Sequence, residues 1–132
     1  MFKLIKIENG RQNVPEPGYL DVAEGEEVSI GEALVIESGK LTKCAATTVP
    51  KFIAMGTVAA GDSTRTVAVC RIESSHLYDV PVSEAPGDLK IGDKVTLSDD
   101  ARRVTASTTS GVAEIVSLNG AETIGDKITV RF

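Results

Sequence analysis

The sequence predicts an all-β protein, a compact β-sandwich or barrel built from two similar copies of one unit. Two observations support this fold class. First, the segments between turns are short and alternate apolar with polar residues, as in TRTVAVCRI at 64–72 and KITVRF at 127–132. Second, the phrase VSIGEALVI at 28–36 returns 61 positions later as LKIGDKVTL at 89–97. No window keeps an apolar pattern of helical period over three turns, so we expect no substantial helix.

The similarity continues after these two phrases. Each leads into a predicted hairpin, ALVIESGKLTKCA with a turn at Ser38-Gly39 and VTLSDDARRVTAS with a turn at Asp99-Asp100. A threonine-rich segment, a strand of small residues (52–59 and 111–118), a turn and a closing strand follow in both. The pseudo-repeats thus span about 28–72 and 89–132, with a connecting strand and loop at 73–88. Because neither copy would close a core alone, we expect them to pack into a single domain, 1–132, with pseudo-twofold symmetry.

The glycine of each Ile-Gly-acid phrase precedes a predicted strand directly. We expect Gly31 and Gly92 to lie in tight turns that the neighbouring acids, Glu32 and Asp93, help to order.

The first 21 residues lie outside both copies. They predict a strand at 2–7 and then an extended arm, because Pro15 and Pro17 cannot donate to a ladder and restrict the residues before them. Such an arm is either an edge strand of its own domain or a segment offered to a partner.

The composition argues against several classes of function. The net charge is −5, with 19 acidic and 14 basic residues and only one basic pair, Arg102-Arg103, so nucleic-acid binding is not expected. Aromatic residues make up 4% of the chain and Trp is absent, which argues against a carbohydrate-binding module. We see no signal peptide and no apolar run that could span a membrane, so we expect synthesis and folding in a cytoplasm.

The sequence offers no constellation typical of catalysis. The single histidine, His76, has no Cys or acidic neighbours at zinc-ligand spacing, and we expect it to be solvated or partly packed. Ser74, Ser75 and Asp79 lie along the same predicted strand, where adjacent side chains point to opposite faces, so they cannot form a triad with His76. Phosphate-binding and calcium-binding loops are missing. We therefore predict no enzymatic activity, cofactor or metal.

The two cysteines, Cys44 and Cys70, lie in apolar alternating stretches without CxxC spacing. The sequence favours two buried, reduced thiols, with a disulfide as the alternative.

From about Asn13 to Phe132 the chain resembles the capsid cement, or head decoration, proteins of tailed phages. The resemblance rests on four stretches, NVPEPGYLDVAEGEEVSIGEALVIESGKLTKCAATTVPKFIA, LYDVPV, LKIGDKVTL and GVAEIVSLNGAETIGDKITVRF. It implies a non-enzymatic virion protein on the outer surface of the phage head that binds the expanded capsid and bridges neighbouring major capsid protein subunits. Many such proteins are trimers, so the resemblance also implies a homotrimer, without catalytic residues.

The hypothesis for capsid binding uses residues outside the two copies that combine apolar and basic character. They are Phe2, Lys3, Leu4, Lys6, Arg11, Pro15, Pro17 and Tyr19. Two alternatives remain open. One is another virion β-module, from a tail, a baseplate or a host-surface adhesin. The other, a small enzyme or ligand-binding barrel, is disfavoured by the single histidine and the few aromatic residues.

Overall fold

A computed structural model describes residues 1–8 and 16–132 of the chain, and these residues form ten β-strands and no helix. The strands are β1 (Lys3–Ile7), β2 (Gly18–Asp21), β3 (Ala33–Glu37), β4 (Lys40–Lys43), β5 (Phe52–Ala54), β6 (Thr66–Arg71), β7 (His76–Pro81), β8 (Lys94–Val95), β9 (Ala113–Ser117) and β10 (Lys127–Arg131). They form two antiparallel five-stranded sheets, with orders β1-β7-β10-β9-β8 and β2-β6-β5-β3-β4. The all-β prediction is confirmed, and of its two alternatives the fold is sandwich-like, since neither sheet closes into a barrel.

The first predicted hairpin forms as expected. Strands β3 and β4 are joined at Ser38-Gly39, where both residues have positive φ angles, 49° and 81°. Two such residues match a type I′ turn, whose twist suits a two-residue hairpin.

The second predicted hairpin is less regular. It forms a single antiparallel bridge, Leu97 to Val104, around a longer turn. The Asp100 carboxylate orders this turn, accepting hydrogen bonds from the Ser98 hydroxyl, the Arg102 N–H and the Arg103 guanidinium. Burial would raise the pKa of Asp100, but these bonds hold it below its usual value.

The Ile-Gly-acid phrases form equivalent turns. Gly31 and Gly92 have φ angles of 76° and 94°, in the left-handed region that favours glycine. The carboxylate of Glu32 accepts a hydrogen bond of 2.9 Å from the Ser29 N–H, and that of Asp93 accepts one of 2.8 Å from the Lys90 N–H. The two turns therefore have the structure that the sequence predicted.

The strand ladders of the two copies also correspond at the offset of 61 positions. Ala33, Ile53 and Cys70 are cross-strand neighbours on β3, β5 and β6, and we call them the apolar row. Lys94, Glu114 and Arg131 are cross-strand neighbours on β8, β9 and β10, and we call them the charged row. One fold unit thus presents two chemically different surfaces at the same position.

The structural equivalence begins earlier than the repeated phrase. Strand β2 pairs with β6 as β7 pairs with β10, and parallel bridges join Val22 to Leu41 and Val82 to Val104. The repeats predicted from the sequence, 28–72 and 89–132, do not include β2 and β7. We refer below to the N-terminal half, 18–72, and the C-terminal half, 76–132.

The two halves pack through different faces. Ala33, Val35 and Ile53 of the N-terminal half are buried in the larger core cluster, which is formed mainly by the C-terminal half. Among their counterparts at the offset of 61, Thr96 is also buried, whereas Lys94 is exposed and Glu114 is partly exposed. The two halves therefore do not bury this face to the same extent, and pseudo-twofold symmetry stays a prediction.

Candidate functional site

The N-terminal strand β1 is an edge strand of the protein's own sheet. It pairs antiparallel with β7, from Lys3 opposite Asp79 to Ile7 opposite His76. A β-bulge interrupts the ladder between Leu4 and Lys6, which leaves Ile5 without a partner on β7. Of the two alternatives for the arm, residues 3–7 take the first.

Phe2 fixes the start of this strand to the core. Its side chain is 3% exposed, and its ring packs 6.4 Å from Tyr78 and 5.4 Å from Phe132, measured between ring centroids. Its backbone N–H donates a hydrogen bond of 2.9 Å to the Gly31 carbonyl. Phe2 therefore supports the strand from inside the fold.

An open apolar groove of about 550 Å³ follows β1, and we call it the β1 groove. The Ile30-Gly31 turn and strand β5 form its opposite side. Four large apolar side chains line it and remain 44–48% exposed: Met1, Ile5, Ile30 and Met55. Clustered exposed apolar side chains on a soluble protein are typical of an interaction site.

Two lysines give the β1 groove a basic flank. Lys3 and Lys6 line it with exposed side chains, in a chain of net charge −5. Burial, and then the nearby Arg102 guanidinium, lowers the pKa of the Met1 amino group.

The residues predicted to bind a capsid fall into three groups. Phe2, Lys3, Leu4 and Lys6 line the β1 groove. Pro17 and Tyr19 lie at the edge of the other sheet, where Tyr19 on β2 is 70% exposed. Arg11 and Pro15 lie outside the described residues.

Sequence reasoning missed the four exposed apolar residues that line the groove, Met1, Ile5, Ile30 and Met55. Ile30 belongs to the Ile-Gly-acid phrase, which was interpreted only as a turn. The available signal was the placement of an isoleucine directly before a turn glycine in both copies, since both Ile30 and Ile91 are exposed.

His76 differs from its expected environment. It is 2% exposed, because β7 lies between β1 and β10 and β1 covers its outer edge. The His76 Nδ1 atom lies 3.2 Å from the Tyr78 hydroxyl, and burial raises the pKa of that phenol. The prediction that His76 is solvated or partly packed is therefore wrong.

The other candidate reactive groups have structural partners or are buried. The Asp79 carboxylate accepts a hydrogen bond of 2.9 Å from the Thr129 hydroxyl. Cys44 and Cys70 are free and buried, as the sequence favoured. Burial raises the pKa of Cys44 to about 11 and also raises that of Cys70, so both thiols stay protonated at neutral pH.

Residues 1–8 and 16–132 have neither a metal-binding cluster nor a membrane-spanning helix. They contain no group of three or more His, Cys, Asp or Glu side chains that could hold a metal ion. They also form no helix with the length and apolarity needed to cross a membrane.

The contact between the N terminus and the Ile30-Gly31 turn can be tested with a matched pair of variants. We expect Gly31→Ala and Gly92→Ala each to lower the free energy of unfolding by about 1 kcal/mol, because alanine disfavours a positive φ. Gly31→Ala should lower the free energy of unfolding by about 2 kcal/mol more, because its new Cβ would lie 2.2 Å from the Met1 Cβ. At Gly92 no atom lies within 4 Å of an added Cβ. Urea denaturation measures both losses, and equal losses would show that Met1 is not held there.

The fold is shared with a protein of known structure. Neither a family model nor a curated protein matches the chain. Among solved structures, the crystal structure of the head fiber gp8.5 N base in bacteriophage phi29 matches with a TM-score of 0.59. The alignment has 19% sequence identity and covers 88% of this chain and 93% of that chain. The two chains therefore share one architecture over most of their lengths.

Proposed function

We propose that this protein is a non-enzymatic structural component of a phage virion that binds the outside of the expanded capsid and bridges major capsid protein subunits. The main support is the fold shared with a head fiber base over most of both chains. The resemblance to capsid cement proteins, which rests on sequence stretches, also points to the phage head. The virion location and the absence of catalysis belong to this proposal.

The β1 groove is the surface that best fits capsid binding. Its exposed apolar side chains can bury apolar residues of an extended capsid segment. Strand β1 is at the end of its sheet, so its outer edge can supply backbone hydrogen bonds to such a segment. Lys3 and Lys6 favour a segment that also has acidic residues. As a homotrimer, the protein would add avidity to this contact.

Cosedimentation with capsids tests the proposal. The purified protein is mixed with expanded capsids that lack it and with unexpanded procapsids. We expect saturable binding to the expanded capsids at a fixed ratio to the major capsid protein. Absence of binding to both particles would contradict the capsid role. Tubes or rings of the isolated protein in electron micrographs would instead support a tail component, the alternative virion module.

Charge reversal tests the role of the two lysines. We expect the double variant Lys3→Glu/Lys6→Glu to bind expanded capsids roughly tenfold more weakly, equivalent to about 1.4 kcal/mol, because its charges would repel an acidic segment. Both side chains are exposed, so the fold should be kept, which circular dichroism can verify. The control is Lys51→Glu/Lys90→Glu, which makes the same charge change at exposed positions outside the groove.

If both double variants bind expanded capsids as strongly as the unaltered protein does, Lys3 and Lys6 have no role in capsid binding. Deleting residues 1–17 is a poorer experiment, because it also removes β1 and the buried Phe2 ring. A loss of capsid binding would then be indistinguishable from a loss of folding.

A further inference from the structure

The two halves are held together in part by a turn of one half that docks on the other. Residues 98–103, the hairpin turn of the C-terminal half, place Ala101 against the start of β3. The Ala33 N–H donates a hydrogen bond of 2.8 Å to the Ala101 carbonyl, and the Leu97 N–H donates one of 2.9 Å to the Ala46 carbonyl. Both Ala101 and Leu97 are buried. The acceptor surface is therefore the start of β3, in the sheet that carries the apolar row.

The hairpin turn of the N-terminal half is the counterpart of this docking turn, but it is exposed. Ser38 and Ala101 have the same φ angle of 49°. Ile36, the counterpart of Leu97 at the offset of 61, is 47% exposed, whereas Leu97 is 1% exposed. Residues 36–40 are all exposed, so within the described part of the chain this turn is not docked on another surface.

The C-terminal half presents the counterpart of the acceptor surface. Lys94 replaces Ala33 in the same ladder position and is exposed, while Glu114 and Arg131 are partly exposed. An open hollow of about 420 Å³ adjoins this charged row. Lysine, glutamate and arginine suit a surface that is in water before a partner binds, whereas the apolar row is covered by the chain itself.

We propose that the Ser38-Gly39 turn of one copy docks on the charged row of a second copy. This contact would repeat between chains the contact that the protein makes once within itself. The charges are complementary in kind, since the turn is flanked by the exposed residues Glu37 and Lys40 and the row contains both signs. Within the row, Glu114 is paired with Arg131 at 2.9 Å, and the exposed Lys94 can attract Glu37.

This contact joins two different surfaces, so it is heterologous. Heterologous contacts generate a ring when the rotation between copies closes and an open filament when it does not. Closure after three copies would produce the homotrimer that the proposed function includes. The contact itself concerns only this chain, so it does not depend on capsid binding.

Cross-linking of cysteine variants tests the contact. Ser38→Cys and Ser74→Cys introduce thiols at exposed positions, one in the turn and one beside the charged row, and they keep the charged residues of both surfaces. A short bis-maleimide is added to each variant alone and to a mixture of the two. We expect a cross-linked dimer in the mixture and little in either variant alone. The double variant should form covalent oligomers that end at one closed size.

Two controls set the background for this experiment. The unaltered protein should not react, because Cys44 and Cys70 are buried. A mixture of Ser38→Cys with Ile124→Cys, another exposed position, measures random collisions. The proposal is overturned if the Ser38→Cys and Ser74→Cys mixture gives no more dimer than this control, or if Ser38→Cys cross-links to itself equally well. Capsid cosedimentation remains a separate measurement, so either proposal can fail alone.

Discussion

Replacing Phe2 with alanine is expected to lower the free energy of unfolding by about 3 kcal/mol, at the low end for a buried phenylalanine. The substitution removes a ring that is almost fully buried and contacts both Tyr78 and Phe132. It would leave a cavity beneath β1, and the strand cannot fill it while it stays paired with β7. Urea denaturation measures the loss.

The control for Phe2 is Ile5→Ala on the same strand. Ile5 is at the β-bulge and is 46% exposed, so its truncation should change stability by less than about 0.5 kcal/mol. Equal losses for the two variants would mean that β1 is not anchored through Phe2. Ile5→Ala also removes part of the β1 groove, so it should weaken capsid binding without weakening the fold.

Replacing Gly111 with alanine is expected to lower the free energy of unfolding by at least about 3 kcal/mol, because the added carbon has no room. An ideal Cβ at this position would lie 1.9 Å from the Lys94 carbonyl oxygen and 2.2 Å from the carbonyl carbon. These are backbone atoms of β8, so the short strand would have to move away from β9. Thermal unfolding followed by circular dichroism measures the effect.

Gly61→Ala is the matched control for Gly111→Ala. Nothing lies within 4 Å of a Cβ at Gly61, and its φ is not in the left-handed region, so no loss is expected. If Gly111→Ala melts at the same temperature as Gly61→Ala, the close approach of residue 111 to Lys94 does not exist in solution.

The parts of the fold that the sequence predicted are local. The Ser38-Gly39 hairpin and the Ile-Gly-acid turns depend on residues within a few positions of one another, and their glycines and acids identify them. The strands β6 and β10 were predicted from the alternation of apolar and polar residues, although Cys70 and Thr129, on their second faces, are also buried.

The parts that the sequence missed depend on distant contacts. His76, Leu77 and Tyr78 are consecutive and all buried, because β7 is covered on both faces and on both edges, and no alternation can show that. The β1 groove is likewise formed by residues from the first seven positions and from β5, more than 40 positions away. The difference between the two halves likewise depends on distant residues, because the apolar and charged rows each join three strands.

The position of β7 between β1 and β10 has a mechanical consequence. Both neighbours are antiparallel to β7, so β1 and β10 run in the same direction. Tension applied at Lys3 and Arg131 would pull β1 and β10 along their lengths in opposite senses, with β7 between them. Such loading shears the two ladders, and their backbone hydrogen bonds share the force instead of opening one after another. A protein loaded in this way resists stretching, a property that the capsid role proposed above would use.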